Sequence, residues 1–248
     1  MLAQPGGKGK PVQIRWLAGG EAARRPVLRA RIRRMLSLDV DLRGFHALCR
    51  GEPRIRYVPR AGAGRFLRCG NVFEEVFKAI CATNIAWRQA VLAMNRIATL
   101  GNRVPGVDAR AFPSASAILR VSEAKLRDVS RLGYRVRFLR SWARCATEGS
   151  AEIALIEAGA LDREAMRAYL LSIPGVGKAT TRYLMMVWGD GREIPVDSSV
   201  YLYFRKNRFG GRNPSEKEIL SLYEPFGEWQ AHSYWFEFLP WARKHYKL

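Results

Sequence analysis

The sequence predicts a mostly α-helical protein, and three observations support this prediction. Apolar residues recur at helical spacing in many stretches after residue 70. The alternation of apolar and polar residues that is typical of strands is almost absent there. With 248 residues, of which 48% are hydrophobic, the chain can bury a core without disulfides or structural metals.

The N-terminal segment, residues 1–70, differs from the rest of the chain. It holds sixteen Lys and Arg residues against four acidic ones. Residues 1–10 are rich in Gly, Pro and Lys, a composition that predicts disorder. Residues 12–17 alternate weakly, as a short β-strand would. We therefore expect a basic segment with a small amount of β structure before the helical part begins.

Helices are predicted in order from Asn71 onward. The first covers 71–82, because Phe73, Val76 and Ile80 form one apolar stripe. The second starts at Trp87 and ends near Gly101. After a loop over 101–114, apolar spacing and capping residues place further helices in 114–121, 122–129, 134–147, 162–172, the stretch after Asp197, 215–223, and 226–246 as far as Pro240.

The composition favours a polyanionic partner. The 42 Lys and Arg residues outnumber the 22 Asp and Glu residues, which gives a formal charge of +20. Nucleic acid is the leading interpretation, ahead of an anionic membrane surface; the alternative is a merely solvated basic surface. The sequence shows no signal peptide and no membrane span, so we expect a cytoplasmic, nucleoid-associated protein.

Two predicted helices meet at the sequence Ile173-Pro174-Gly175-Val176-Gly177. Pro174 ends the first helix, and the two glycines allow a turn that side chains would obstruct. The second helix then begins with exposed backbone N–H groups, which bind phosphate well. An ordinary tight turn between helices is the alternative. The predicted contacts to a nucleic-acid backbone are Gly175, Val176, Gly177, Lys178, Thr180 and Arg182.

This stretch resembles the signature of the helix-hairpin-helix (HhH-GPD) DNA glycosylase superfamily. In that signature an L/I-P-G-V-G hairpin is followed by a helix, a short connection and a catalytic aspartate, and residues 173–177 and 195–197 match it. Other segments look like those of alkylpurine (3-methyladenine) and 8-oxoguanine glycosylases in the same order, so that the resemblance covers about 30–240. These segments are 34–48, 73–90, 133–139 and 223–238.

The resemblance implies two helical subdomains that flank a cleft. The expected organisation is the basic segment 1–70, a helical subdomain with the hairpin over 71–190, and C-terminal helices over 191–248. The C-terminal helices are expected to pack with the N-terminal segment and complete the cleft.

Asp197 is the implied catalytic residue. A carboxylate beside the sugar C1′ stabilises an oxocarbenium-like transition state or activates water when an N-glycosidic bond is cleaved. The alternative is that Asp197 only caps the helix that begins at Ser198. The two roles are compatible, since a helix start favours an ionised carboxylate.

The resemblance also predicts that the strand is not cut. Superfamily members with lyase activity carry a lysine nucleophile at the position of Ala179, and alanine cannot form a Schiff base. Lys178 lies one residue earlier, about 100° round the helix, and is expected to face phosphate. The alternative is that Lys178 acts as the nucleophile.

A flipped base needs a pocket with flat walls. Matching to alkylpurine glycosylases places Tyr183 and Trp235 in the base pocket, where electron-rich rings attract a cationic alkylpurine. Ala179 and Ser198 replace a tryptophan and a tyrosine of that subfamily, which suggests a wider pocket. His232 is a candidate polar group of the pocket or an exposed histidine near the groove. The alternative for both aromatic residues is core packing.

The stretch 81–87, CATNIAW, resembles the place where relatives insert a side chain into the gap left by the flipped base. Asn84 and Trp87 are the candidates for this role. Trp87 could instead belong to the core, and Thr83 or Ile85 could be the inserted residue.

The expected function is a monofunctional DNA glycosylase of base-excision repair that acts on a damaged base, most readily an alkylated purine, in double-stranded DNA. The alternatives are a glycosylase for oxidised or deaminated bases, with or without lyase activity, and a non-catalytic DNA-binding protein. We expect a monomer that needs no cofactor, with a monovalent cation as the one ion the hairpin could hold. Four separated cysteines indicate neither zinc nor an iron–sulfur cluster: Cys49, Cys69, Cys81 and Cys145.

Overall fold

The computed structural model describes residues 2–4, 13–15 and 25–247, and these are mostly helical, as predicted. In the N-terminal half, the helices from Val72 onward were predicted and those before it were not. All the described helices of this half are α1 (Arg25–Met35), α2 (Arg43–Gly51), α3 (Tyr57–Arg60), α4 (Val72–Cys81), α5 (Trp87–Ala98), α6 (Ala115–Arg120) and α7 (Glu123–Ser130).

The C-terminal half follows the predicted order with one added helix, α9. A short 3-10 segment, Glu224–Trp229, precedes the last helix. No helix among the described residues is long and apolar enough to cross a lipid bilayer. The helices are α8 (Arg135–Glu148), α9 (Ala151–Ala158), α10 (Arg163–Ser172), α11 (Lys178–Val187), α12 (Ser198–Asn207), α13 (Glu216–Ser221) and α14 (Gln230–Tyr246).

Two short strands precede the helices. β1 (Leu2–Gln4) and β2 (Gln13–Arg15) pair antiparallel, with Ala3 opposite Ile14. β2 lies within the stretch 12–17 that has strand-like alternation. Disorder was predicted for residues 1–10. Of these, Leu2–Gln4 form β1, and the others lie outside the described residues.

Side-chain caps mark many of the helix starts. The Asn71 side chain accepts the Glu74 N–H at 2.8 Å, and the Ser122 hydroxyl accepts the Lys125 N–H at 3.2 Å. At α13, Ser215 and Glu218 form a reciprocal capping box. Each cap satisfies N–H groups that the helix itself leaves without partners, which is why these boundaries could be recognised in the sequence.

The apolar residues form separate clusters. The largest, the main cluster, contains residues of the helices from α4 through α11, including Trp142. The second, the C-terminal cluster, packs the segment after α11 against α12 and α14 and includes Tyr234. A third packs the N-terminal segment, including Phe45, against Phe236 of α14. A small fourth cluster connects them and consists of Phe66, Met186, Val187 and Ala231. The third cluster thus packs residues of the N-terminal segment against α14, while the predicted division of the chain at 70 and 190 and the cleft stay predictions.

The prediction that the last helix stops at Pro240 is wrong, because α14 continues to Tyr246. Proline lacks the N–H that would bond to the carbonyl four residues earlier. That carbonyl belongs to Phe236, and it accepts a hydrogen bond from the Tyr57 hydroxyl at 2.9 Å instead. A side chain from α3 thus replaces the missing donor, so the helix can pass through the proline.

Candidate active site

The turn between α10 and α11 requires glycine at 175. Gly175 has φ of +90°, and a Cβ there would lie 2.9 Å from the Cγ and Cδ2 atoms of Phe138. Ile173 and Val176 are buried in the main cluster and hold the turn against the helices. The backbone conformation and the closeness of Phe138 therefore both exclude a side chain at this position.

The N-terminus of α11 is open. Its N-cap is Gly177, which is extended and offers no side-chain hydrogen bond, and the first turn has no acidic residue. No atom lies within 4 Å of where a Cβ of Gly177 would stand. The first N–H groups of α11 therefore have no side-chain partner and lie next to free space, which is the arrangement that favours an anion.

The two cations predicted beside this turn have different surroundings. Lys178 is largely exposed, and its Nζ lies 3.1 Å from Glu216 Oε1. Arg182 has only 11% of its side chain exposed, and it bonds to Glu216 at 2.6 Å and to Glu193 at 3.1 Å. Lys178 is accessible to an external phosphate, whereas Arg182 is occupied by protein carboxylates. Thr180, in the first turn, is half-buried.

Asp197 is the N-cap of α12, and its Oδ1 accepts the Val200 N–H at 2.9 Å. The cap considered from the sequence is therefore present. The side chain is solvent-exposed, yet protein atoms surround it closely enough that burial raises its pKa, against the opposing effect of the Val200 and Ser199 amides. Ser198, next to it, is exposed as well.

Tyr183 and Trp235 both pack against the fourth cluster. Each also belongs to the edge of a larger cluster, so they lie where the cores of the molecule meet. Both are half-buried rather than fully enclosed. Phe66 packs edge-on against Trp235 with a centroid distance of 6.1 Å. The two predicted pocket residues thus share one cluster with Phe66, while their role in a base pocket stays a prediction.

His232 lies in the core, with 5% exposure, so the alternative of an exposed histidine is wrong. The rings of Phe45, Phe66 and Trp229 surround it at centroid distances of 5.2, 4.6 and 4.9 Å. Burial lowers its pKa to about 4, so the imidazole is neutral at physiological pH. Phe66 packs against both His232 and Trp235.

The loop between α4 and α5 presents Asn84 at the surface in a left-handed conformation, with φ of +47°. Arg135, at the start of α8 and 8% exposed, donates to the carbonyl of Thr83 at 2.7 Å and to that of Asn84 at 2.6 Å. Trp87 begins α5 and is 42% exposed. Ile85 is half-buried against the main cluster, which leaves Asn84 and Trp87 as the more accessible candidates.

Three residues of this region could not be assigned from the sequence: Phe66, Arg135 and Glu193. Phe66 lies in a segment without helical spacing. Arg135 and Glu193 looked like ordinary charged residues, although an arginine in an apolar helix start is a signal that deserves weight. Arg135 donates to carbonyls 51 and 52 residues earlier in the chain. Glu193 accepts hydrogen bonds from arginines 11 to 30 residues earlier. The roles of both residues depend on these distant partners.

Comparison with solved structures identifies the fold. The 3-methyladenine DNA glycosylase of Archaeoglobus fulgidus superposes with a TM-score of 0.75 and 20% identity, over 96% of this chain and 80% of that one. The 8-oxoguanine glycosylase/lyase of Clostridium acetobutylicum, bound to DNA with cytosine opposite 8-oxoguanine, gives 0.71 and 19% over 91% and 76%. The 3-methyladenine DNA glycosylase of a Schizosaccharomyces yeast, bound to abasic DNA, gives 0.61 and 20% over 79% and 94%.

No protein-family model matches the sequence, and the search of curated proteins gives no match either. The similarity to solved structures nevertheless extends over most of the chain. The protein has the fold of the helix-hairpin-helix DNA glycosylases, as the resemblance in its sequence predicted.

Proposed function

We propose that the protein is a DNA glycosylase that hydrolyses the N-glycosidic bond of a damaged base flipped out of double-stranded DNA. The observation that carries the proposal is Asp197, a carboxylate both exposed and desolvated. It is joined through its own loop to a hairpin whose helix start is open. The open helix start binds the phosphate of a nucleotide, and the carboxylate acts at its sugar.

The chemistry assigned to Asp197 is electrostatic. As the bond between base and sugar breaks, positive charge grows on the sugar, and a carboxylate in a low-dielectric recess stabilises it more than water would. The Val200 N–H orients the carboxylate and helps keep it ionised. Alternatively the same group activates the attacking water; both roles require the ionised form.

The flipped base is proposed to lie against Tyr183 and Trp235. An alkylated purine carries formal positive charge, so aromatic faces attract it while the charge makes it a good leaving group. Ala179 and Ser198 contribute small side chains at positions where alkylpurine glycosylases have larger ones, so the pocket has room for a bulky lesion. His232, neutral and packed against Phe66, supports the wall instead of contributing charge.

We further propose that the enzyme leaves an abasic site uncut. Ala179 offers no nucleophile, and the ammonium of Lys178 is paired with Glu216.

The gap left by the base is proposed to be filled by Asn84. A non-glycine residue with positive φ is strained by about 1–3 kcal/mol and persists where surrounding contacts hold it. The two hydrogen bonds from buried Arg135 supply that restraint. Trp87, exposed at the start of α5, is the second candidate.

The enzyme is proposed to work as a monomer without a cofactor. No group of three or more potential ligands that could hold a metal occurs among the described residues. Residues 173–177 contain no carboxylate, so a cation at the turn would be held by backbone carbonyls and water, which suits a monovalent ion.

The proposal is tested with duplexes that carry single defined lesions: alkylated purines, 8-oxoguanine and deaminated bases. Products are resolved with and without hot alkali. Release of an alkylpurine with strand breakage only after alkali is the expected result. Release of an oxidised or deaminated base would select the alternative substrate class, and breakage without alkali or a covalent adduct trapped by borohydride would show lyase activity. DNA binding without release of any base would contradict the enzymatic function.

A further inference from the structure

The loop between α11 and α12 contains Glu193, a half-buried carboxylate four residues before Asp197. Three arginine side chains donate hydrogen bonds to it. Arg163 Nη2 lies 2.6 Å from Oε1, Arg167 Nη1 lies 2.9 Å from Oε2, and Arg182 Nε lies 3.1 Å from Oε2. A single carboxylate thus satisfies donors from three guanidinium groups.

These arginines belong to both helices of the hairpin. Arg163 and Arg167 lie on α10, and Arg182 lies on α11. Their side chains are between 11% and 28% exposed, and that of Glu193 is 21% exposed. Charge-assisted bonds in such a partly buried setting are screened less by salt than surface pairs are, so they constrain geometry more strongly.

Glu193 is ionised at neutral pH. Burial by itself would raise its pKa, but the hydrogen bonds from Arg167 and Arg163 and the nearby positive charges lower it to about 2. The link between the loop and the hairpin helices therefore persists until the pH falls toward 2.

Only a short, buried stretch separates Glu193 from Asp197. Ile194 is fully buried and Val196 is 9% exposed, and both pack in the C-terminal cluster. Four residues of extended chain span at most about 14 Å. The position of Asp197 is therefore set by two attachments: Glu193 on the hairpin helices and the apolar residues in the C-terminal core.

The ion pairs continue to the phosphate end of the hairpin. Arg182 also bonds to Glu216, which in turn contacts Lys178, the first residue of α11. A connected set of charged groups thus runs from the loop of Asp197 to the open helix start.

We propose that Glu193 is a positioning residue that sets the offset between the phosphate-binding hairpin and the Asp197 carboxylate; this inference rests on the proposed function. The phosphate and the C1′ atom of one nucleotide are separated by a nearly fixed distance. An enzyme that grips the first and stabilises charge at the second must hold its two groups at the matching separation. Glu193 is a side chain of the Asp197 loop that bonds to both helices of the hairpin.

The test is the single-turnover excision rate of Glu193→Gln at saturating enzyme. The amide keeps the size of the side chain and removes its charge, so we expect a decrease of about 10- to 100-fold, the range caused by ångström-scale misplacement. Affinity for an abasic duplex should change little, since the hairpin itself stays intact. Glu193→Asp, which keeps the charge, should have a rate between those of the wild type and Glu193→Gln.

Glu218→Gln is the matched control. Glu218 also has a pKa lowered to about 2 by hydrogen bonds, from Arg212 and Ser215, but it lies on α13 and has no contact with the loop of Asp197. This variant should lose thermal stability and keep the excision rate. Adding Arg167→Gln to Glu193→Gln should lower the rate little further, because both changes break the same link.

A folded Glu193→Gln protein with the wild-type rate would overturn the inference, and so would an equal loss of rate in Glu218→Gln. If the wild type excises a base and Asp197→Asn does not, either result refutes the positioning role alone. If the wild type excises nothing from the lesion panel, the proposed function and the inference fall together.

Discussion

The starts of two helices in this protein, α11 and α12, differ in what lies beside their first backbone N–H groups. Both begin after an extended residue and both present N–H groups that the helix cannot satisfy. At α11 the N-cap is Gly177, and the groups are left open. At α12 the N-cap is Asp197, and its carboxylate accepts the Val200 N–H. The first start therefore accommodates an external anion, while the second holds an anion that belongs to the protein.

The difference shows how one local feature serves two purposes. A phosphate can approach α11 because no side chain stands there. The carboxylate at α12 is oriented by the helix, whose N–H groups oppose the increase in pKa that burial causes. Changes of charge at either helix start should therefore have different effects on excision and on DNA binding.

Asp197→Asn removes the charge at α12 and keeps the cap, because asparagine caps helices as well as aspartate does. We expect the excision rate to fall by about 100- to 1,000-fold, the typical loss when a charge-stabilising group is removed. Single-turnover kinetics measures the rate, and binding to an abasic duplex serves as the control for folding and affinity. An unchanged rate would show that Asp197 is only a cap.

Gly177→Asp gives α11 the kind of start that α12 has. The position is open and its backbone is extended, so aspartate fits without strain. Its charge would repel phosphate, and we expect duplex affinity to fall by about tenfold, the loss of roughly one favourable phosphate contact. Gly177→Asn is the neutral control and should bind better than Gly177→Asp. Equal affinity of all three proteins, measured by fluorescence anisotropy, would mean that the hairpin does not contact phosphate.

Glu216→Gln releases Lys178 from its ion pair beside the open helix start. More positive charge then faces the DNA, so affinity should rise a few-fold and depend more steeply on salt. Salt titrations of the wild type and the variant measure both effects. A weaker complex would show that Glu216 supports the hairpin more than it competes with phosphate.

The stability of the protein should depend on pH in opposite directions at Asp197 and Glu193. The folded-state pKa of Asp197 is raised, so its contribution is favourable at low pH and is lost as pH rises through the range above 3.8. The pKa of Glu193 is lowered to about 2, so its contribution is present above 4.5 and is lost as pH falls toward 2.

Denaturant unfolding at several pH values tests these signs. At neutral pH, Asp197→Asn should be slightly more stable than the wild type, and the gain should shrink as pH falls. Glu193→Gln should be less stable at neutral pH, and its deficit should shrink in the same direction. If both variants were more stable than the wild type at neutral pH, or if both were less stable, the assigned pKa shifts would be contradicted.

Much of the helical part could be read from local patterns. Stripes such as that of α4, and caps such as Asn71 and Ser122, act within one or two turns, so spacing alone reveals them. The segments α1 to α3 were not assigned as helices. α1 is rich in arginine and α3 is very short, so neither has much apolar periodicity. The apolar face of α2, with Phe45 and Cys49 buried, was missed. The end of α14 was misplaced, since the donor that replaces the N–H of Pro240 comes from Tyr57, 179 residues from its acceptor.

The sequence by itself determined the order of the helices, the bare turn at 173–177 and the presence of a carboxylate at the start of the helix that follows, because each depends on neighbouring residues and their backbone preferences. Only the tertiary structure decided that Arg182 faces Glu193 and Glu216, that His232 is buried and neutral, and that Phe66 joins Tyr183 and Trp235. Ion pairing, desolvation and ring packing depend on which distant segments meet, and no local pattern records that.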